Sequence, residues 1–211
     1  MSPRSATTRN DILRAARTLI ETAPFAEVTL GRVASAAGVS RQAVYLHFGS
    51  KSQLLLALVA WMDQHGRLPH LLAAAGHSGD PVQALLTTVR GAASYNADVA
   101  DVGLALRAAR QSDPAAAQAW DDRMADRIKT IRSLVQPLAN AGLLRPHWDA
   151  GTATDAIFAL ISLTTYEDLV RERAWSNRRY VDHVVSIIHH AFIAPDPEIP
   201  GDWLGCSQPR G

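Results

Sequence analysis

The sequence predicts an all-α protein: an N-terminal three-helix helix-turn-helix domain joined to a C-terminal helical bundle, with about nine helices in total. The 211 residues are rich in alanine, leucine and arginine, which favour helices. Runs of alternating β-branched residues, which are typical of strands, are nearly absent. Capping residues also recur before apolar residues spaced three or four apart. We therefore expect no sheet.

The first helix is predicted over residues 8–22. Thr8 and Asp11 have the spacing of a capping box, which marks a helix start. Pro24 follows the last apolar residues and is expected to end the helix, because proline lacks the N–H that a helix interior needs. One apolar face of this helix then packs against the elements that follow.

Two shorter helices are predicted next, separated by a tight turn. Thr29 caps the first of them and Gly38 closes it, and Ser40 caps the second, which runs over residues 41–47. A helix, a glycine-containing turn and a second helix form a helix-turn-helix, whose second helix can enter the major groove of DNA. The spacing thus predicts a DNA-reading element.

The following helix starts are marked by caps. Ser50 caps a helix (KSQLLLALVAWMDQHG) that connects the two domains, and Asp80 and Asp113 each precede a proline at the first helical position. Pro137 is expected to kink or end the helix that starts after Asp113.

The last helices are predicted to start at Asp149, with an apolar face reaching Leu163, and at Ser176. The proline- and glycine-rich end of the chain is expected to be flexible. The predicted domains are residues 1–49 for DNA binding, residues 50–194 for ligand binding and dimerisation, and a flexible tail at residues 195–211.

Charge and composition narrow the class of protein. Residues 1–52 contain seven basic and three acidic side chains, 7 − 3 = +4, and the remainder carries 14 − 17 = −3, so an anionic partner is expected for the N-terminal part. A single cysteine, Cys206, provides no disulfide framework. No apolar run approaches the ~18 residues of a membrane span. We expect a cytoplasmic protein with no membrane partner.

The start of the second helix of the motif carries the groups that could read bases. Arg41 and Gln42 lie in its first turn, where arginine can pair with guanine and glutamine with adenine at about 1–3 kcal/mol of discrimination per pair. Ala43 and Leu46 could each contact a thymine methyl. The DNA sequence would therefore be read chiefly by the first turn of this helix.

Other polar groups are expected to contact DNA phosphates. Ser40 and the free N–H groups of the first turn favour an anion, and Tyr45, His47, Thr29 and Lys51 could bind the backbone on either side. Alternatively, Tyr45 could pack on the first helix and His47 could cap the helix end. The predicted DNA-binding set is Thr29, Ser40, Arg41, Gln42, Ala43, Tyr45, His47 and Lys51.

The segment VTLGRVASAAGVSRQAVYLHFGSKSQLLLAL resembles the DNA-binding signature of the tetracycline-repressor (TetR) family of bacterial transcriptional regulators, over about residues 10–58. This resemblance implies a homodimer that binds palindromic double-stranded operator DNA and is released by a small-molecule effector. Ala43 stands where many members have threonine, and Leu46 where many have a polar or aromatic residue. A repressor is the main prediction; an activator of the same family, or a helical small-molecule-binding protein with no DNA role, are the alternatives.

The C-terminal bundle is expected to hold an apolar or aromatic effector between its helices. Each candidate could equally be plain core, and Arg107 could hold an acidic group of the ligand. The predicted ligand-binding residues are Trp61, Met62, His65, Tyr95, Leu104, Arg107, Trp120, Met124, Phe158 and Tyr166. No cofactor, metal or enzymatic activity is predicted, since the sequence has no paired Ser/His/Asp signature, glycine-rich phosphate loop or H-E-x-x-H.

The last two helices carry broad apolar faces that exceed what a terminal hairpin would need. A two-fold four-helix interface would bury such faces. The predicted dimer interface is Leu160, Ile161, Val181, Val184, Val185 and Ile188.

Overall fold

The computed structural model describes residues 3–65 and 79–195, and within them the regular structure is helical apart from one bridge between Leu144 and Ile193. The helices are α1 (Pro3–Thr22), α2 (Leu30–Ala36), α3 (Arg41–Phe48), α4 (Lys51–His65), α5 (Pro81–Ala109), α6 (Pro114–Asn140), α7 (Ala150–Leu160), α8 (Leu163–Tyr166) and α9 (Asn177–Phe192). A 3-10 turn, Phe25–Glu27, precedes α2, and a π-helical segment, Glu167–Glu172, follows α8. The all-α prediction is confirmed; the predicted tail lies outside the described residues from 196 onward.

The predicted helix starts are confirmed where a side chain caps the first turn. The Thr29 hydroxyl accepts from the Arg32 N–H at 3.2 Å, and the Ser40 hydroxyl accepts from the Ala43 N–H at 3.1 Å. The same kind of bond is made by Ser50, Asp80, Asp113, Asp149 and Ser176. Each bond satisfies a backbone donor that has no partner within its helix.

The prediction that α1 begins at Thr8 is wrong, because α1 begins at Pro3 and Thr8 lies inside it. Proline suits the first helical position, where its missing N–H costs no hydrogen bond. Pro137 does not end α6, which continues to Asn140; the alternative expectation, a kink at this proline, stays a prediction. Pro137 is exposed and close to the end of the helix, so water can solvate the carbonyl that it leaves without a donor.

The apolar helix expected to run from Asp149 to Leu163 is interrupted. α7 ends at Leu160, and Ser162 starts α8 with its hydroxyl accepting from the Thr165 N–H at 3.1 Å. Serine favours such a cap over a helix interior. At this break the backbone carbonyl of Ile161 accepts hydrogen bonds from side chains, and Ile161 lines the cavity described below.

Two apolar cores hold the helices together. The first joins α1 to α4 and reaches α5 and α6 through Leu106 and Ala116. The second lies among α5 to α9 around Tyr180, which is fully buried. Because α4 belongs to the first core and also contacts α6, it links the N-terminal motif to the bundle.

The described helices were also compared with the dimensions of a membrane. None of them alone is long and apolar enough to cross one; α3 and α4 pass by length and composition only as a pair, which is bent by 69°.

Candidate nucleic-acid interface and ligand cavity

The second helix of the helix-turn-helix, α3, is the recognition helix, and it buries its apolar side and exposes its polar side. Val44 and Phe48 lie in the first core, at 0% and 6% exposure. Gly38 adopts a φ of +65° in the turn, a conformation that favours glycine, and the N–H of Val39 donates to the Ala34 carbonyl at 3.0 Å. The turn thereby crosses α3 over α2 and leaves its other face toward solvent.

The predicted base readers lie on this solvent face. Arg41 and Gln42 are both exposed. The Arg41 guanidinium lies 5.6 Å from the centre of the Tyr45 ring, and its Nη2 donates to the Tyr45 hydroxyl at 3.4 Å. Tyr45 thus lies against Arg41 rather than on α1, and the two side chains form one polar surface with Gln42.

The remaining predicted DNA contacts differ in accessibility. Thr29 and Ser40 are exposed but use their hydroxyls as helix caps. Ala43 and His47 are half-buried, and the His47 ring lies 6.0 Å from the Phe48 ring. The contacts of all four with DNA stay predictions.

Lys51 is oriented inward. Its amine donates to the Phe25 carbonyl at 2.5 Å and to the Ala26 carbonyl at 3.5 Å, and lies 4.0 Å from the centre of the Phe25 ring. Burial lowers the pKa of the Lys51 amine. In this position Lys51 fixes the turn before α2, and its predicted contact with phosphate would require the side chain to leave these carbonyls.

Leu46 is the most exposed large apolar side chain in the described chain, at 82%. It follows Tyr45 on α3 and is largely open to water. A leucine so placed costs hydration without a compensating contact. Its contact with a thymine methyl in the groove stays a prediction.

A cavity of about 330 Å³ lies between α4, α5, α6 and the break between α7 and α8. One face of α6 forms a continuous wall, and its lining residues follow the helical spacing of three and four. From the first to the last, this wall is about 21 Å long at 1.5 Å per residue. Its members are Trp120, Arg123, Met124, Asp126, Arg127, Thr130, Ile131 and Leu134.

Polar side chains of this mainly apolar cavity bond to one another or to the backbone at two places. At one, Arg123 forms a two-bond ion pair with Asp63, with Nη2 donating to Oδ1 at 2.7 Å. At the other, the Ile161 carbonyl accepts from Arg127 and, at 3.0 Å, from the Asn96 amide. No group of histidine, cysteine, aspartate or glutamate side chains in the described chain could hold a metal ion.

The predicted ligand-binding residues divide into two groups. Met62, Tyr95, Trp120 and Met124 line the cavity. The others do not line it: Trp61, His65, Leu104, Arg107, Phe158 and Tyr166.

Arg107, the predicted acid-binding residue, is occupied elsewhere. Its Nη2 pairs with Glu167 at 2.9 Å, and its Nη1 donates to the Thr164 hydroxyl at 2.9 Å. The prediction missed Asp63, Arg123 and Arg127, which all line the cavity. The spacing of Trp120, Met124 and Arg127 along one helix face was the signal that could have revealed the last of these.

Five of the six predicted dimer residues are already buried within the single chain. Ile161, Val181, Val184, Val185 and Ile188 are between 0% and 9% exposed and belong to the second core. The expectation that these faces exceed the needs of internal packing is therefore incorrect, because α5 packs against α9 and fills that face. Leu160 remains half-buried and accessible.

A helix-turn-helix with an exposed polar recognition helix, joined to a bundle that encloses a cavity, defines a DNA-binding regulator with room for a small molecule. Residues 12–58 match the family model described as bacterial regulatory proteins, tetR family. The chain is 30% identical over 165 residues to the HTH-type transcriptional regulator EthR of Mycolicibacterium smegmatis, covering 77% of this chain and 70% of that protein. The protein belongs to the TetR family of bacterial transcriptional regulators.

Solved structures show the same fold. A choline complex of a protein from Saccharomonospora viridis superposes with a TM-score of 0.79 at 21% identity, over 90% of this chain and 100% of that one. NalD, the secondary repressor of the MexAB-OprM multidrug efflux pump in Pseudomonas aeruginosa, superposes with a TM-score of 0.64 at 23% identity, over 90% and 98% of the two chains.

Proposed function

We propose that this regulator is a cytoplasmic repressor that binds palindromic operator DNA as a homodimer and leaves the operator when a small, mainly apolar effector enters the cavity. The main support for the proposal is that α4 contacts the recognition helix at one end and lines the cavity at the other. Its first turn adjoins the recognition helix, and its last turns contribute Met62 and Asp63 to the cavity wall. A change of shape in the cavity therefore has a short, rigid path to the DNA-binding surface.

Two contacts tie α6 to α4. Near the start of both helices, the Ser52 hydroxyl faces the Asp113 carboxylate, and with the N–H groups of Ala116 and Ala115 it lowers the pKa of that carboxyl. Near the end of α4, Asp63 pairs with Arg123. The two contacts lie about 15 Å apart along α6 at 1.5 Å per residue. A ligand that displaces α6 would move α4 as a unit.

This movement matters because a dimer reads two half-sites only when its recognition helices are about 34–36 Å apart. An effector that binds better to a conformation with a different separation lowers operator affinity by that difference in binding free energy. The same linkage makes operator DNA weaken effector binding, which a titration can measure in both directions.

The dimer interface is proposed to involve the exposed sides of α7 and α9. Leu160 and Phe158 are half-buried apolar residues on α7 that a second copy could cover. Sedimentation of the wild type should give a dimer at micromolar concentration, and Leu160→Glu should shift it toward monomer. A stable wild-type monomer would contradict this part of the proposal. Val185 is unsuitable for the test, because a charge at this buried position would unfold the core.

The DNA-binding proposal is tested by selecting bound sequences from random double-stranded DNA and measuring affinity for the enriched site. Arg41→Ala should weaken binding about 10-fold or more, on the basis of about 1–3 kcal/mol per lost base pair contact. Arg132→Ala removes the same charge from an exposed position on α6 and is the matched control. No enriched palindrome, or equal losses in the two variants, would refute the proposal.

A further inference from the structure

The cavity contains one cation whose charge no described side chain neutralises. Arg127 lines the cavity, its Nη2 donates to the Ile161 carbonyl, and its guanidinium lies 5.8 Å from the centre of the Phe158 ring. Neither partner carries a negative charge. Burial, the largest effect, lowers the pKa of Arg127 to about 10, so the group is still charged at neutral pH.

The other charges of the cavity wall do not alter this balance. Arg123 and Asp63 neutralise each other through two hydrogen bonds. Asp126 also lines the cavity, but it is exposed to water and forms no ion pair with Arg127 in the described chain. Arg127 is therefore a buried cation of the cavity wall without an ion-pair partner among the described residues.

Apolar side chains surround this charge along the length of the cavity. Ile131 and Leu134 lie beyond Arg127 toward the end of α6, and Met124 and Trp120 lie before it. A buried charge in such surroundings is costly unless a counter-ion joins it. The guanidinium fork has the geometry to bind a carboxylate through two parallel hydrogen bonds.

We propose that the effector is a monocarboxylate with a compact apolar body, held by a salt bridge from its carboxylate to Arg127. The effector role of this ligand rests on the proposed function, whereas carboxylate binding at Arg127 does not depend on DNA. A cationic ligand is disfavoured, because Asp63 is already paired with Arg123 and the other acid of the wall, Asp126, is exposed to water. The cavity volume lies at the lower end of the ~300–1,000 Å³ typical of ligand pockets, which suits a small ligand.

The position of Arg127 also allows a clean substitution. The Ile161 carbonyl would keep its bond from the Asn96 amide at 3.0 Å if Arg127 were replaced, so Arg127→Met leaves no buried acceptor without a donor. Removing an uncompensated buried charge should keep or raise the melting temperature of the free protein. A purely structural arginine would instead lower the melting temperature when replaced.

The test measures binding to the DNA-free protein by isothermal titration calorimetry and thermal shift. The probes are decanoate, 2-naphthoate, 1-decanol and decyltrimethylammonium, the amphiphiles being used below their micellar concentrations. Decanoate or 2-naphthoate should bind the wild type at least about 10-fold more tightly than the neutral and cationic probes, as expected for a hydrogen bond between charged groups. The alkyl and aryl acids together identify the shape of the apolar body.

Arg127→Met should weaken carboxylate binding by about 10- to 100-fold and leave 1-decanol binding unchanged. Arg127→Lys, which keeps the charge and loses the fork, should lie between. Arg132→Met, on the exposed side of α6, should match the wild type. Equal binding of decanoate and 1-decanol by the wild type, unchanged decanoate binding by Arg127→Met, or no binding of either acid would overturn the proposal.

Failure of the proposed function gives a different result. If carboxylates bind through Arg127 but do not release the selected operator, the carboxylate site stands and the effector role is lost. If the operator is bound and released by other compounds while the acids do not bind, the regulator stands and the carboxylate site is lost.

Discussion

The recognition helix and the cavity present polar side chains in opposite ways. On α3, Arg41 and Gln42 follow each other in sequence and both reach solvent. In the cavity, Asp63 and Arg123 are sixty residues apart and satisfy each other. Water solvates the charges of an exposed surface until DNA binds. In a cavity the charges are largely removed from water, so each is costly unless a protein group or a ligand pairs with it. Arg127 is the exception that the cavity leaves for a ligand.

The largest expected effect separates the two regions. The double substitution Arg41→Ala, Gln42→Ala should reduce affinity for the selected operator at least about 10³-fold, to the level of non-specific binding. Ligand binding in the cavity should be unchanged, because neither residue lines it. Fluorescence anisotropy and calorimetry on the same preparation measure the two properties. Persistent specific binding would show that another surface reads the operator.

An intermediate effect is expected at Lys51, which the sequence assigns to DNA and the structure places against backbone carbonyls. Lys51→Met should lower the free energy of unfolding by about 1 kcal/mol, because the carbonyls of Phe25 and Ala26 lose their donor. The salt dependence of operator binding should stay close to that of the wild type. Urea denaturation and anisotropy at several salt concentrations check this. A clearly reduced salt slope with unchanged stability would restore the phosphate contact.

The smallest effect is expected at the link between the regions. Ser52→Ala should change the free energy of unfolding by no more than about 0.5 kcal/mol, since Asp113 keeps its two backbone donors and surface changes are usually this small. Operator affinity without ligand should also be retained. The factor by which a bound ligand weakens operator binding should fall about 2- to 5-fold. An unchanged factor would show that coupling passes through Asp63 and Arg123 instead.

The sequence alone determined the helical class, most helix starts and the exposed polar side of α3 that is proposed to read DNA. These features depend on local interactions: Ser40 caps α3 through a residue three positions away, and alternation of Val44 and Phe48 with polar neighbours follows the helical period. A pattern within one helix is enough to assign its buried and exposed sides.

Only the tertiary structure decided which residues line the cavity and which of the predicted interface residues are buried in the core. Arg127 acquires its role because the helix break at Ile161 brings a carbonyl to it from thirty-four residues away. By sequence alone Arg107 could bind an anion as well as Arg127 could, but in the structure Arg107 is paired with Glu167. Val185 has the appearance of an interface residue in sequence, but α5 covers the core to which it belongs. The physical reason is that partners distant along the chain are chosen by packing, and an apolar or charged residue has the same local pattern whatever finally covers it.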